Sequence, residues 1–396
     1  MGNPFRPSCL ALPQLESGPR SSKSVGELEE RRGARGHACD VVRACTYEDT
    51  PQVRKMRLSL YTLGTLALTF ALSPASAKFP DDFESPLEVI AFGSCNRDEL
   101  PQPLWPVIAE EQPDLWIWAG DNIYADWHQR PDGQKVTFTV NREWITKRYA
   151  AQFNQPGYAP FRKKTAILGT WDDHDYGRNN AGAEYKLKEV TRDLALSFME
   201  VPIGDPRWQR EGLYGAYDFG TEGKLTKVIL LDNRYFATGK KADEPDLLGE
   251  AQRTWLETTL RESEADLHIL VSGTQMISEE HKYEKWADYP KTRKWLFERI
   301  DETQTPTILL SGDRHIHEIS VLKGWSGKFP LAEVTSSGLT HSWEGFPGED
   351  NRHRVGEVFT GLGYGVIKID WSGSKPQIEL AIKDVNGETA QSKRLD

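Results

Sequence analysis

Between Trp171 and Asn180 the chain reads W-D-D-H-D-Y-G-R-N-N. Asp172, Asp173 and Asp175 crowd around His174, and their mutual repulsion works against folding. Either the stretch is a solvated turn, or something positively charged sits against it. Other short stretches carry groups of the same chemical kind. They are G-S-C-N with Cys95, G-D-N-I-Y with Asp121 and Tyr124, L-D-N-R with Arg234, and G-D-R-H with Asp313 and His315. A single G-D is ordinarily a strand entering a loop. Cysteine, aspartate, tyrosine and histidine together make a set of sulfur, oxygen and nitrogen donors.

Carboxylates that converge in a buried cleft must be protonated or offset by cations. A pair of metal ions would resolve the repulsion, with one carboxylate, best Asp121, shared between them. The candidate ligands are Cys95, Asp121, Tyr124, Asp172 or Asp173 or both, Asp313 and His315. Mixed donors suit a transition metal at one position, and hard oxygens suit a second, different cation. Two ions about 3.5–4 Å apart polarise a phosphoryl oxygen and activate water or hydroxide for attack on phosphorus. His174, beside the ligands but not needed as one, is placed to protonate a leaving alkoxide. Arg178 and Arg234, with Asn179 or Asn180, would grip the non-bridging oxygens. Each arginine taken alone reads first as an ion-pair partner at the surface, Arg234 more so than Arg178.

The elements behind these groups follow one pattern. E-V-I-A-F-G-S-C, D-L-W-I-W-A-G-D, T-A-I-L-G-T-W-D-D, K-V-I-L-L-D-N-R, L-H-I-L-V-S-G-T-Q and T-I-L-L-S-G-D-R-H are short apolar runs that end in a polar group. Runs of this length suit strands buried on both faces. Residues 186–200, 250–261 and 291–302 place apolar side chains at helical steps. The C-terminal quarter reads as successive strands. The expectation is an α/β protein with two packed mixed sheets flanked by helices, with residues 78–396 forming one domain. Function gathers where strand carboxyl ends fan apart in such folds. Many of the 13 tryptophans, among them Trp116, Trp118 and Trp171, lie inside core-like runs and are expected to pack rather than to stack on ligands.

The segment from Met56 sets Arg54, Lys55 and Arg57 before an apolar run over 58–72, then closes on Ala75-Ser76-Ala77. That is the form of a secretory signal peptide over 56–77. Residues 1–55, rich in Gly, Pro, Ser, Arg and Glu, are expected to be disordered or a translated upstream stretch, with Met56 the true start. The expected location is secreted or periplasmic. The net charge of −10 argues against general nucleic-acid or anionic-membrane binding, and no specific protein partner is expected. Of the four cysteines, Cys9, Cys39 and Cys45 fall before the domain. Cys95 is then a lone thiol on an exported chain, which a bound metal would account for.

G-S-C-N, G-D-N-I-Y, W-D-D-H-D-Y-G-R-N-N-A-G, L-D-N-R-Y-F and G-D-R-H, in this order over roughly residues 86–370, resemble the alkaline phosphatase D (PhoD-like) branch of the metallophosphoesterases. T-S-S-G-L-T-H-S fits the same resemblance. It implies a four-layer α/β/β/α sandwich and a phosphomonoesterase or phosphodiesterase. It also implies an iron(III) ion held by Cys95 and Tyr124 together with calcium, with zinc or manganese as alternatives. Asp173 falls on the family's metal-binding asparagine, His174 on its catalytic histidine, and Asp313 and His315 on the last ligand pair. The substrate would be a phosphate ester: a small molecule, a phospholipid or a polymer. One ligand of ordinary metallophosphoesterases has no clear counterpart, Gln275 being the nearest candidate. His317 reads as structural or as part of the site, and His341 and Trp343 as the substrate mouth or an exposed loop. A different class of reading is an exported, non-catalytic metal-holding protein that binds phosphorylated ligands. A hydrolase of another ester, such as a sulfate, is a third.

Overall fold

The computed structural model describes residues 79–129 and 134–395. The leader expected at 56–77 and the stretch before it lie outside the described residues. The strands are β1 (Val89–Gly93), β2 (Leu115–Ala119), β3 (Trp127–Gln129), β4 (Lys135–Thr137), β5 (Ala166–Thr170), β6 (Gly215–Phe219), β7 (Thr226–Leu230), β8 (Leu267–Val271), β9 (Thr307–Ser311), β10 (His317–Val321), β11 (Ala332–Ser336), β12 (Arg354–Phe359), β13 (Gly363–Asp370), β14 (Gln377–Asp384) and β15 (Thr389–Leu395). The helices are α1 (Leu104–Glu110), α2 (Arg142–Phe153), α3 (Tyr158–Phe161), α4 (Asp173–Tyr176), α5 (Lys188–Phe198), α6 (Gly249–Arg261) and α7 (Pro290–Thr303).

One sheet runs β15-β14-β13-β1-β2-β5 and the other β12-β10-β11-β9-β8-β7-β6, with β3 and β4 paired separately. Strands β1, β2 and β5 are parallel, as are β7, β8, β9 and β11. Antiparallel strands flank both sets.

The central strands are apolar at nearly every position because both of their faces are covered. Ile90, Phe92, Leu115 and Ile117 meet Val228, Leu230, Ile269, Val271, Ile308 and Leu310 between the sheets. Alternate residues point outward. Trp116 and Trp118 pack with Trp105 of α1 and Ile145 of α2. Ile229, Leu270 and Leu309 pack with Leu256 of α6 and Leu296 of α7. Helix, sheet, sheet and helix thus stack in four layers, the architecture expected from the sequence. Trp116, Trp118 and Trp171 are fully buried, and Trp105 meets the first two edge-on at 5.0 and 5.4 Å. Packing is their role.

The sheets are joined at the carboxyl ends of their parallel strands. Ser94 bridges to Ser337 and its hydroxyl donates to the Ser336 carbonyl at 2.9 Å. Across the sandwich, the Thr170 hydroxyl donates to the Leu231 carbonyl at 2.7 Å. Within the first sheet the β2 and β5 exits also approach closely, at Gly120, whose φ is +91° and where a Cβ would lie 2.6 Å from Asp172 Cβ. Gly120→Ala is therefore expected to cost about 2–4 kcal/mol, from backbone strain plus overpacking. Chemical denaturation would read this as a lower midpoint, and an unchanged midpoint would contradict the tight-approach account.

Candidate metal centre

The chain enters the left-handed backbone region just after β1, β2 and β9. Cys95, Asp121, Asp313 and His315 take φ values of 58°, 50°, 69° and 54°. For side chains with a Cβ this left-handed region costs roughly 1 kcal/mol or more each, so the fold pays to aim these four inward. Backbone bonds brace the turns: Asn96 N–H to the Asp121 carbonyl at 2.9 Å and Gly312 N–H to the Gly273 carbonyl at 3.0 Å. After β5 the chain makes the single turn of α4. There Asp175 accepts the Asp172 N–H at 2.7 Å and the Asn122 N–H at 3.1 Å. Asp175 is a backbone clamp between the β2 and β5 exits.

Three overlapping groups result, and within each the ligand-type atoms lie within 4.8 Å of one another. They are Cys95, Asp121 and His315; then Asp121, Asp173 and His174; then Asp172, Asp173 and Asp313. Asp121, the carboxylate expected to be shared, belongs to two groups, and so does Asp173, which was expected as a ligand but not as a shared one. The Tyr124 hydroxyl lies 3.1 Å from Asp121 Oδ2 and 3.0 Å from His315 Nε2. Cys95 Sγ is 3.4 Å from Asp121 Oδ2 and 2.9 Å from Ser337 Oγ. Ser337 Oγ accepts the His315 N–H at 2.6 Å, so its own proton is free to go to the sulfur.

These residues fit cations. Asp172 Oδ2, Asp173 Oδ1 and Asn233 Oδ1 are buried oxygens with no hydrogen-bond donor, a costly arrangement unless something positive meets them. The Cys95 group offers sulfur, nitrogen and oxygen, while the Asp172 group offers oxygen alone. Asp121, Asp172 and Asp173 are buried, and Asp313 and His315 are half-buried, which marks where the cleft meets solvent.

Without bound cations the carboxyls resist ionising together. Burial pushes Asp121 up to about 6, and burial with the Asp173 charge pushes Asp313 up to about 7. Burial also holds Asp172 well above its usual range, against the pull of Arg234. Burial acts on Asp173 too, but His174 and Arg234 outweigh it and hold this carboxyl low. For His174 burial opposes the charge, yet Asp173, Asp121 and Asp126 hold it up at about 10. Burial and the neighbouring His174 push His315 down to about 4.

His174 is fixed on several sides. Its Nδ1 lies 2.8 Å from Asp126 Oδ1, its Nε2 lies 3.9 Å from Asp173 Oδ1, and its ring stacks on Tyr124 at 4.2 Å. Asp126 also accepts the Asn179 N–H at 2.9 Å. Sequence reasoning missed Asp126, although it stands two residues past Tyr124 in the same motif. It missed Ser337 and Asn233 as well, each inside a motif that had been noticed for another residue.

The arginines differ from expectation. Arg234 is fully buried, with Nε 2.6 Å and Nη2 2.5 Å from Asp172 Oδ1 and Nη1 2.6 Å from Glu284 Oε2. Its charge is committed to carboxylates, so the phosphate grip expected of it is corrected to a charge-balancing role beside Asp172. Arg178 and Asn179 are exposed at the rim, Arg178 paired with Glu184. Asn180 holds Asp173 Oδ2 through its backbone N–H at 2.6 Å. Gln275 donates to Glu318 and Thr335 at 2.7 and 2.8 Å, a structural use. His317 is buried against Ser336 and Phe359. His341 lies against the site, its ring 4.5 Å from His315 and 5.2 Å from Tyr124. The Trp343 N–H donates to the His315 carbonyl at 2.7 Å.

The sequence pattern of the PhoD-like phosphatases matches residues 90–357. No curated protein matches the chain. Among solved structures, one titled "Structure of PhoD" superposes with a TM-score of 0.63 at 18% identity, covering 80% of this chain and 70% of that one. GAP50, the anchor in the inner membrane complex of Plasmodium, gives 0.49 at 13% identity over 79% and 89% of the two chains. A dimetal phosphatase from Danio rerio gives 0.46 at 10% identity over 78% and 99%.

The titrations carry a stability consequence. Asp121 and Asp313, at about 6 and 7, lie above the unfolded value, so between about pH 4 and 7 the folded chain binds more protons than the unfolded one. Their stabilisation is present at low pH and is lost as pH rises through those values. His174 adds stability that is fully present below about pH 6.5 and is lost progressively as pH rises toward 10, and the lowered Asp173 acts in the opposite sense near and below pH 4. Chelator-treated protein is expected to melt at a lower temperature at pH 8 than at pH 5.5. Added divalent cation is expected to raise Tm more at pH 8. Scanning calorimetry at both pH values checks this, and a metal-free Tm that is flat or higher at pH 8 contradicts it.

Proposed function

Because the chain belongs to the PhoD-like phosphatases, we propose that it is a metal-dependent hydrolase of phosphomonoesters, phosphodiesters or both, exported by a leader that begins near Met56. The observation that carries this reading is the convergence of Cys95, Asp121, Asp172, Asp173, His174, Asp313 and His315 into three groups that share carboxylates. Such crowding in a desolvated cleft is disfavoured without cations.

Cys95, Tyr124, Asp121 and His315 would hold a transition ion, for which iron(III) is the first candidate and zinc or manganese the alternatives. Asp172, Asp173 and Asp313, with the free Asn233 oxygen, would hold a harder ion such as calcium. Bound there, the ions would supply Lewis acidity toward phosphoryl oxygen and an activated water. The protein's own groups do the rest. Asp126 occupies His174 Nδ1 and thereby fixes the ring and its tautomer, leaving Nε2 toward Asp173 and the cleft. Tyr124, stacked on one face of the ring, resists its rotation. His174 is thus placed to give a proton to a leaving alkoxide, a step that typically contributes 10²–10⁴-fold (roughly) to rate. Arg178 and Asn179, at the rim, are the groups available to meet the outer part of a substrate.

A protein that only binds phosphorylated ligands has no use for a proton donor at this position. His174→Asn is therefore expected to lower kcat by about 10²–10⁴-fold while metal content per chain, read by elemental analysis, stays at the wild-type level. Retained turnover with retained metal would overturn the assignment of His174. Wild-type protein prepared without chelators and lacking stoichiometric metal would overturn the hydrolase reading itself.

A further inference from the structure

A second cavity, of about 560 Å³, adjoins the metal centre, and its wall includes Asn180, Lys240, Lys241, Lys282, Glu284 and Tyr289. It shares residues with the centre's own supports. Asn180 holds Asp173 through its backbone N–H, and Glu284 is bound by Arg234, which in turn binds Asp172. The Tyr289 hydroxyl lies within donating distance of the Thr238 carbonyl at 3.2 Å and of Glu284 Oε1 at 3.4 Å, so the wall is tied to the loop after β7. Arg234 separates Asp172 from this space, so a ligand at the metal centre would reach it over the exposed rim at Asn179 and Asn180.

The charges facing the cavity do not cancel. Its two acids each have a cationic partner, Glu184 in Arg178 and Glu284 in Arg234, which Glu284 shares with Asp172. Lys240 shares Asp288 at 3.2 Å. Lys241 and Lys282 have no carboxylate within ion-pair distance among the described residues, and Lys282 Nζ lies 5.3 Å from the Tyr283 ring centroid. On a chain of net charge −10, uncompensated lysines gathered on one cavity beside a phosphate-ester site raise the local potential for anions.

We propose that this cavity is a subsite for a second phosphate group, so that the substrates preferred at the metal centre are esters whose leaving group itself carries a phosphate. This rests on the phosphohydrolase reading for the first phosphate. The recognition is by charge and by flexible ammonium donors, which suits a phosphate on a mobile tether more than a planar carboxylate held bidentately. It adds a positive contact away from the reacting bond, where binding energy selects among substrates.

The test compares α,ω-alkanediol bisphosphates of increasing length with the matching alkanol monophosphates on metal-loaded full-length protein. The wild type is expected to favour bisphosphates in kcat/KM at the tether lengths that span to the lysines. In the Lys241→Gln/Lys282→Gln protein that preference is expected to fall roughly tenfold, the size expected for two exposed charge contacts. The Lys241→Arg/Lys282→Arg protein is expected to keep it, and its loss at higher ionic strength should track the wild type. No bisphosphate preference in the wild type, or the same preference in the Gln protein, would overturn the subsite. If the wild type hydrolyses neither series, the hydrolase reading falls. Calorimetric binding of the same bisphosphates then decides the subsite alone: weaker binding by the Gln protein upholds it, and equal binding overturns it.

Discussion

Four carboxylates, Asp121, Asp172, Asp173 and Asp313, share one desolvated cleft, and much of the surrounding structure exists to keep them there. Left to themselves they would move apart or take up protons, and burial already drives Asp121 and Asp313 toward the neutral form. The protein supplies only partial compensation from its own side chains. The single charge of Arg234 is shared between Asp172 and Glu284, and His174 sits among Asp121, Asp126 and Asp173. The orphaned oxygens of Asp172, Asp173 and Asn233 are what is left over, and they locate the remaining demand for positive charge.

Holding the acids in place costs backbone energy as well. Cys95, Asp121, Asp313 and His315 all adopt the left-handed conformation, where such strain persists only if surrounding contacts over-determine it. Those contacts are visible. Asp175 ties two strand exits through backbone N–H groups. Ser337 touches both Cys95 and His315, and Gly120 removes the Cβ that would collide with Asp172. Cys95 is therefore held in one orientation against Asp121 and Ser337. Its burial also keeps the thiol away from solvent.

The layers were legible because buried parallel strands write themselves as apolar runs, and each of the six runs ending in a polar group became a strand whose exit faces the cleft. Helices α5, α6 and α7 were legible from their apolar spacing. Helix α2 was not, since its buried face includes Arg148 and Gln152 beside Ile145 and Tyr149, which blurs the pattern. At the site, residue types at strand ends were enough to gather the ligand candidates. What the sequence could not give was which neighbour spends which charge. Arg234 and Arg178 look alike in one dimension. One is buried against Asp172, and the other lies exposed against Glu184, because their loops leave different sheets. Asp126 was passed over because its role depends on His174 arriving from a segment 48 residues away.

The distribution of the ligands over the two sheets has a structural meaning of its own. Cys95 and Asp121 follow β1 and β2, and Asp172 and Asp173 follow β5, all in one sheet. Asp313 and His315 follow β9 in the other. The Cys95 group and the Asp172 group each draw on both sheets, so a cation held in either would tie the layers together at the end where Ser94, Thr170 and their partners already join them. The interface between the sheets is otherwise aliphatic and aromatic packing, which sets separation but tolerates small sliding motions. Polar groups that need a fixed geometry sit at the end where Ser94 and Thr170 bond across the layers. The same junction therefore serves stability and chemistry, and a substitution that lets the sheets slide would be felt first as misplaced carboxylates, before the hydrophobic core itself fails.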